Sequence, residues 1–143
     1  MHRSSKIYKD TANIVANPRE VEANLLYQSA SRLQAIQDHW EEKASELRDA
    51  LLYNRRLWTI FLTSVTHAEN PLPKEIRENV ANLGVFVLRR TLSLQAEPRP
   101  DRLSILIGIN RNLLAFALLD VQILEGKLDV RGKFQRSRHC LTL

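Results

Sequence analysis

The chain has 143 residues, of which 44% are hydrophobic and 26% charged, a composition typical of one globular domain. With only four glycines and five prolines, it lacks the many turns of a β-sandwich, so long helices are expected. The single cysteine, Cys140, excludes an internal disulfide framework and a cysteine-rich zinc site. The sequence shows no conventional secretory signal and no apolar run long enough to cross a membrane, so we expect a cytoplasmic protein.

The net charge of +5 is carried by the two ends of the chain. Residues 1–16 hold three basic side chains against one acidic, and residues 127–143 hold five against one. Residues 17–126 hold 13 basic side chains against 14 acidic and are therefore close to neutral. We interpret residues 1–16 as a loose arm, residues 17–126 as a helical domain and residues 127–143 as a basic tail. This charge distribution argues against direct nucleic-acid binding by the folded part.

The first helix start signal is the segment Asn17-Pro18-Arg19-Glu20. Asn17 can cap free backbone N–H groups, Pro18 suits the first helical position, and Glu20 can complete a capping box. The pattern predicts a helix that begins at this point.

Apolar residues at helical spacing continue from this start into the charged segment 39–49, which contains neither glycine nor proline. Both one helix and two helices over residues 18–66 fit the pattern. One helix would be about 70 Å long, which is long for so small a domain. We therefore favour two helices with a turn near residues 40–46.

The clearest helical period lies in residues 51–66, LLYNRRLWTIFLTSVT. The apolar stripe places three side chains in the predicted core: Leu51, Trp58 and Phe61. Three others share the opposite side of the helix and form the predicted partner-contact surface: Tyr53, Arg56 and Ile60. Either neighbouring helices cover both sides, or one side is free for a partner. Arg55 and Arg56 have two interpretations. Their aliphatic stems can cover apolar surface of the protein while the charged heads reach water. Alternatively, the guanidinium groups can bind acidic or amide groups of a partner.

Two further helices are predicted after the Pro71-Leu72-Pro73 connection. The first begins near Pro73, and Leu83 on its apolar face is assigned to the core. The second runs from about residue 102 to residue 125 and is apolar almost all round, which predicts burial or an interface. Gly84 and Gly108 are expected to permit close helix contacts. The predicted fold class is all-α, a compact bundle of about four helices.

The residue patterns of catalytic and metal sites are absent from the sequence. It has no Gly-rich phosphate loop, no His pair at i, i+4 and no GxSxG motif. The neighbouring acids Glu41 and Glu42 are interpreted as a solvated helix surface. We therefore expect no catalytic residues, no metal ligands and no cofactor.

Three blocks of the sequence resemble the FlaF family of flagellar proteins from alphaproteobacteria. They are ALLYNRRLWTIFLTSV (residues 50–65), NPLPKEIRENVANLGVFV (residues 70–87) and INRNL (residues 109–113). The resemblance covers about residues 5–120 and implies a flagellum assembly factor with flagellin as client. It further implies a role in flagellin secretion and in control of flagellin synthesis, alongside FlbT, which restrains translation of the flagellin messenger.

Spare apolar helix surface is compatible with that role. Flagellin's terminal segments are amphipathic helices that stay unfolded until polymerisation, and a helical groove could hold such a segment. The alternative is a post-transcriptional regulator that acts through FlbT or directly on the flagellin messenger through its basic ends. A third hypothesis is that the apolar surface forms a homodimer.

Overall fold

The computed structural model describes residues 18–124 of the chain, with side chains described over residues 20–116. Within this range all regular structure is helical and no strand occurs. The elements are α1 (Pro18–Asp38), the single turn α2 (Trp40–Lys43), α3 (Leu47–Thr66), α4 (Lys74–Ala96) and α5 (Leu103–Leu124), with 3₁₀ turns at Ala44–Glu46 and Pro100–Arg102. The predicted all-α fold class is confirmed. The predicted arm, residues 1–16, and the predicted tail, residues 127–143, lie outside the described residues.

The chain divides into two compact units. The larger comprises residues 25–112, with most of α1, all of α2, α3 and α4, and the first part of α5. The other comprises residues 1–24 and 113–143. Of this second unit the structure describes only residues 18–24 and 113–124, in which Ala23 is buried and Phe116 is exposed.

In the larger unit, α1 and α3 are separate helices that fold back on one another. His39, directly after α1, leaves the helical backbone with φ −124° and ψ 47°. The Ser29 hydroxyl on α1 donates to Asn54 Oδ1 on α3 at 2.8 Å, although 25 residues separate them. A continuous helix would hold these positions about 37 Å apart. The prediction of two helices is therefore confirmed, and the turn between them already begins at His39.

A short loop reverses the chain between α3 and α4. The Asn70 side chain organises it, because Nδ2 donates to the Ser64 carbonyl oxygen at 3.1 Å and Oδ1 accepts the Leu72 N–H at 3.0 Å. Pro73 then precedes α4, and Glu75 in the first turn lies at the positive end of the helix dipole. Because these local contacts reverse the chain direction, α4 packs alongside α3.

Gly84 marks a close approach between α3 and α4. A Cβ atom at Gly84 would lie 2.6 Å from Leu62 Cδ2 and 2.7 Å from Leu62 Cγ, closer than carbon atoms approach each other. At Gly108 a Cβ atom would meet nothing within 4 Å. The close contact expected at both glycines is thus found at Gly84 and not at Gly108.

The core of the larger unit is built on the stripe of α3. Leu51, Trp58 and Phe61 are all buried. Leu83 is 39% exposed, so its assignment to the core is wrong. The buried positions of α4 are Val80, Gly84, Val87, Thr91 and Leu94. At 100° per residue, Leu83 lies about 60° from the middle of that stripe and forms its edge.

The start of α5 is joined to the end of α1. Gln37 Nε2 donates to the carbonyl oxygen of Pro100 at 2.7 Å and to the Ser104 hydroxyl at 2.8 Å. This places the first turns of α5 beside α1 and brings Asn110 towards the interior.

None of the helices that the structure describes combines the length and the apolar character needed to cross a membrane.

Candidate functional site

A buried polar cluster joins α3 to α1 and α5 within residues 25–112. Its members are Ser29, Asn54, Trp58 and Asn110, each at most 1% exposed. Trp58 Nε1–H donates to Asn110 Oδ1 at 2.9 Å. Asn110 Nδ2 donates to Asn54 Oδ1 at 2.8 Å and to the Ser29 hydroxyl at 3.3 Å, and that hydroxyl also donates to Asn54 Oδ1. The cluster fixes which residues of the three helices face each other.

The polar cluster gives a structural role to three residues in the sequence blocks quoted above, and this role requires no partner protein. Asn54 and Trp58 belong to the block over residues 50–65, and Asn110 belongs to INRNL. A buried polar group that loses its hydrogen bond is costly, so such a cluster disfavours a shifted helix arrangement. Only Asn54 Nδ2 in this cluster has no hydrogen-bond partner. Because these side chains are buried, they position the outer surface of α3 and do not form it.

Ser29 and Asn110 were not singled out from the sequence as partners of the α3 stripe. Asn54 is the sequence feature that indicates a buried polar contact, because a polar residue in the middle of an apolar stripe is buried and needs hydrogen-bond partners. Asn110 supplied a second signal, an amide in an otherwise apolar helix. Neither signal shows which distant side chain forms the hydrogen bonds with Asn54 or with Asn110.

The predicted contact residues lie together on the side of α3 away from Trp58, and we call them the α3 face: Tyr53, Arg56 and Ile60. Ile60 is 60% exposed, and Arg56 is exposed with no ion pair among the described residues. Tyr53 is half-buried, and its hydroxyl donates a long hydrogen bond of 3.5 Å to Gln28 Oε1 on α1. The α3 face therefore consists of one side chain at the edge of α1 and two that are open to solvent.

A groove of about 620 Å³ lies on another side of α3, between the 3₁₀ turn before it and the end of α4. Its buried lining includes Leu47, Leu51 and Leu94, and its exposed lining includes Arg48 and Arg55. Two of the ten lining residues are arginines and none is acidic. The groove thus combines apolar surface with positive charge. Arg55 was considered from the sequence as a partner anchor, whereas Arg48 was not.

α4 also exposes apolar side chains. Leu92 is 58% exposed and Val85 is 46% exposed. Phe86 is 39% exposed, and the Arg90 guanidinium lies 5.5 Å from its ring centroid, a cation–π contact that covers part of the ring.

Among the side chains that the structure describes, no three from His, Cys, Asp and Glu form a group able to hold a metal ion.

Comparison with known protein families identifies a family to which the chain is similar. The model of the family FlaF, described as flagellar protein FlaF, matches residues 4–115, well over half of the 143 residues. No curated protein and no solved structure matches the chain. The matched range includes the polar cluster, the α3 face and the groove.

Proposed function

The chain belongs to the FlaF family of flagellar proteins, and from this premise we propose that it binds flagellin as a chaperone-like partner. Membership of the family makes it a protein of flagellar biosynthesis and its regulation. In the proposed role it holds flagellin before export and supports flagellin secretion. FlbT senses whether the client is bound and adjusts flagellin synthesis accordingly. The activity is binding without catalysis.

The observation that carries the proposal is the exposed α3 face. Ile60 exposes 60% of its surface in the middle of a 20-residue helix whose other side is buried. Arg56, one turn earlier, is exposed beside it. Arginine and tyrosine are enriched among the residues that contribute most to binding at protein interfaces, and the α3 face holds one of each. An amphipathic segment of flagellin can place its apolar stripe on Ile60 and an acidic or amide group on Arg56.

The test is a titration of purified flagellin with the purified full chain at near-physiological salt. We expect one-to-one binding with low-micromolar or tighter affinity. Tyr53→Ser, Arg56→Glu and Ile60→Ser should each weaken binding while circular dichroism reports unchanged helical content. The exposed positions Arg56 and Ile60 are not needed for the core, so loss of binding at these two positions reports on the interface.

Two variants on α4 provide matched controls. Leu92 is 58% exposed, so Leu92→Ser removes the same kind of apolar surface as Ile60→Ser. Lys74 forms an exposed pair with Glu78 at 3.8 Å, and Lys74→Glu reverses one charge as Arg56→Glu does. Both controls should bind flagellin like the unaltered chain. Equal weakening by controls and α3-face variants would exclude the α3 face as the binding site.

A second titration tests which part of flagellin is held. Flagellin without its two terminal segments should bind much more weakly, since the proposed ligand is an amphipathic helix from those segments. Equal binding by the shortened flagellin would contradict this mechanism. If folded protein binds neither form, FlbT or the flagellin messenger becomes the partner to test.

A further inference from the structure

We propose that the groove beside the start of α3 binds an acidic amphipathic helix of a partner protein, with two carboxylates seven residues apart paired to Arg48 and Arg55. This goes beyond the proposed function, because it concerns a second surface and a partner defined only by its chemistry.

The two arginines are placed to recognise a helix. Seven residues make nearly two full turns, so Arg48 and Arg55 project from the same side of α3 with Cα atoms about 10 Å apart. Both are exposed, and within residues 20–116 neither has a carboxylate within ion-pair distance. Carboxylates at positions i and i+7 of a second helix have the same spacing. Each can accept two parallel hydrogen bonds from one guanidinium group.

The apolar lining favours an amphipathic helix over a small anion. Ala44, Leu52 and Pro98 in the lining are exposed or half-buried and provide apolar surface beside the two arginines. A volume of about 620 Å³ accommodates several side chains from one side of a helix that lies over the opening. Two carboxylates at this spacing give each guanidinium group its own bidentate partner, which a ligand with a single anionic group cannot do.

Charge complementarity argues that the occupant is another protein. The groove is lined by two arginines and no acidic residue. Both ends of the chain are also basic, with three basic side chains against one acidic in residues 1–16 and five against one in residues 127–143. Like charges facing each other across an interface are unfavourable, so neither end complements the groove. An acidic segment from a partner does.

The experiment uses the full chain and a labelled synthetic helix with a leucine stripe and two glutamates seven residues apart. We expect fluorescence anisotropy to report binding, and Arg48→Glu and Arg55→Glu each to weaken it about tenfold, the size of a hydrogen-bonded charge pair. Arg89→Glu, the same charge change at an exposed position of α4, should have a much smaller effect. A helix with lysines in place of both glutamates should bind the doubly substituted Arg48→Glu, Arg55→Glu chain and not the original.

Rescue by the lysine helix would establish direct charge pairing, because a misfolded variant could not gain a new ligand. Equal binding of a glutamine-substituted helix, or of one with its glutamates five residues apart, would overturn the proposal. Absence of binding by the glutamate helix would overturn it as well. Concentration-dependent dimers abolished by Arg48→Glu would assign the groove to a second copy. If single-stranded RNA displaced the helix, and Arg48→Glu and Arg55→Glu abolished RNA binding, the groove would instead be a binding site for nucleic-acid phosphates.

Discussion

At the scale of single residues, Trp58 combines an apolar and a polar contact in one buried side chain. Its ring meets Phe61 edge-on, with centroids 5.6 Å apart and planes at 88°. Its indole N–H donates to Asn110 Oδ1. Removal of this side chain would therefore leave a large cavity and an amide oxygen without its donor.

Trp58→Ala should lower the free energy of unfolding by about 3–5 kcal/mol, the usual cost of a large aromatic cavity. That is enough to unfold much of a small domain. Urea denaturation monitored by circular dichroism measures the change. Ile60→Ala, on the exposed side of the same helix, should change the free energy of unfolding by no more than about 0.5 kcal/mol. A stable Trp58→Ala variant that lost only partner binding would place Trp58 in an interface instead.

The hydrogen bond between Trp58 and Asn110 predicts coupling between the two residues. Asn110→Leu keeps a similar side-chain size but leaves the indole N–H buried without an acceptor, at a cost of about 1–3 kcal/mol. Trp58→Phe removes the unpaired donor, so the double variant should lose less stability than the sum of the single variants. Urea unfolding of the four proteins in the cycle measures this coupling. If the changes in the free energy of unfolding add within about 0.5 kcal/mol, the hydrogen bond does not contribute to stability.

The stripe of α3 could be predicted from the sequence because burial on a helix follows a local period of 3.6 residues. That period places Leu51, Asn54 and Trp58 inside. The partners of Asn54 could not be predicted, because Ser29 and Asn110 lie 25 and 56 residues away in the chain. Periodicity carries no information on which distant helix supplies an amide or a hydroxyl group.

At the scale of helices, Gly84 and Gly108 allow the effect of helix contact to be separated from helix propensity. Both lie inside helices, where alanine is intrinsically favoured by about 1 kcal/mol. Only Gly84 faces a neighbour, since an added Cβ would press on both Cγ and Cδ2 of Leu62. The same substitution should therefore have opposite effects at the two positions.

We expect Gly84→Ala to destabilise the protein by about 1–2 kcal/mol, because the overpacking cost exceeds the propensity gain. Gly108→Ala should stabilise it by up to about 1 kcal/mol. In a Leu62→Ala background the penalty at Gly84 should vanish, since the obstructing atoms are gone. Thermal and urea unfolding measure all four variants. Stabilisation by Gly84→Ala in the original background would show that Leu62 moves aside at little cost.

Helix limits were easier to predict than helix environment. Proline-rich connections supplied local signals for the ends of α3 and α4, and the structure follows them closely. The end of α1 had no such signal, and the turn after it was predicted only because one continuous helix would be too long for the domain. Leu83 shows where such signals fail. It fits the apolar period of α4, yet the stripe is centred on Gly84 and Val87, and Leu83 lies at its edge. Which of several apolar positions faces the neighbour depends on the contact at Gly84, and that contact is not encoded locally.

At the scale of the larger unit, α3 presents two distinct surfaces outside the core. Arg55 lines the groove, whereas Arg56 lies on the α3 face with Ile60. Consecutive helical residues differ by 100° in direction, so neighbours in sequence can serve different partners. The helical period of the sequence already places Arg56 with Tyr53 and Ile60 and keeps Arg55 apart from them. The groove that Arg55 lines could not be predicted, because it also requires the end of α4.

The charge distribution of the whole chain leads to the last prediction. Residues 17–126 are close to neutral, and the excess of basic side chains lies at the two ends, mostly in residues 127–143. Binding to RNA should therefore be weak, electrostatic and dependent on few phosphate contacts. In a titration with the flagellin messenger leader, we expect binding only at low salt, with loss of that binding when residues 127–143 are removed.

The same truncated chain should still bind flagellin with unchanged affinity, because the α3 face lies outside the removed segment. Tight RNA binding that persists at physiological salt would favour direct action on the messenger and count against flagellin as the primary ligand. RNA binding that survives the truncation but is lost in Arg48→Glu would move the nucleic-acid site to the groove. Measured side by side, the two titrations separate a flagellin-binding role from an RNA-binding role in one protein preparation.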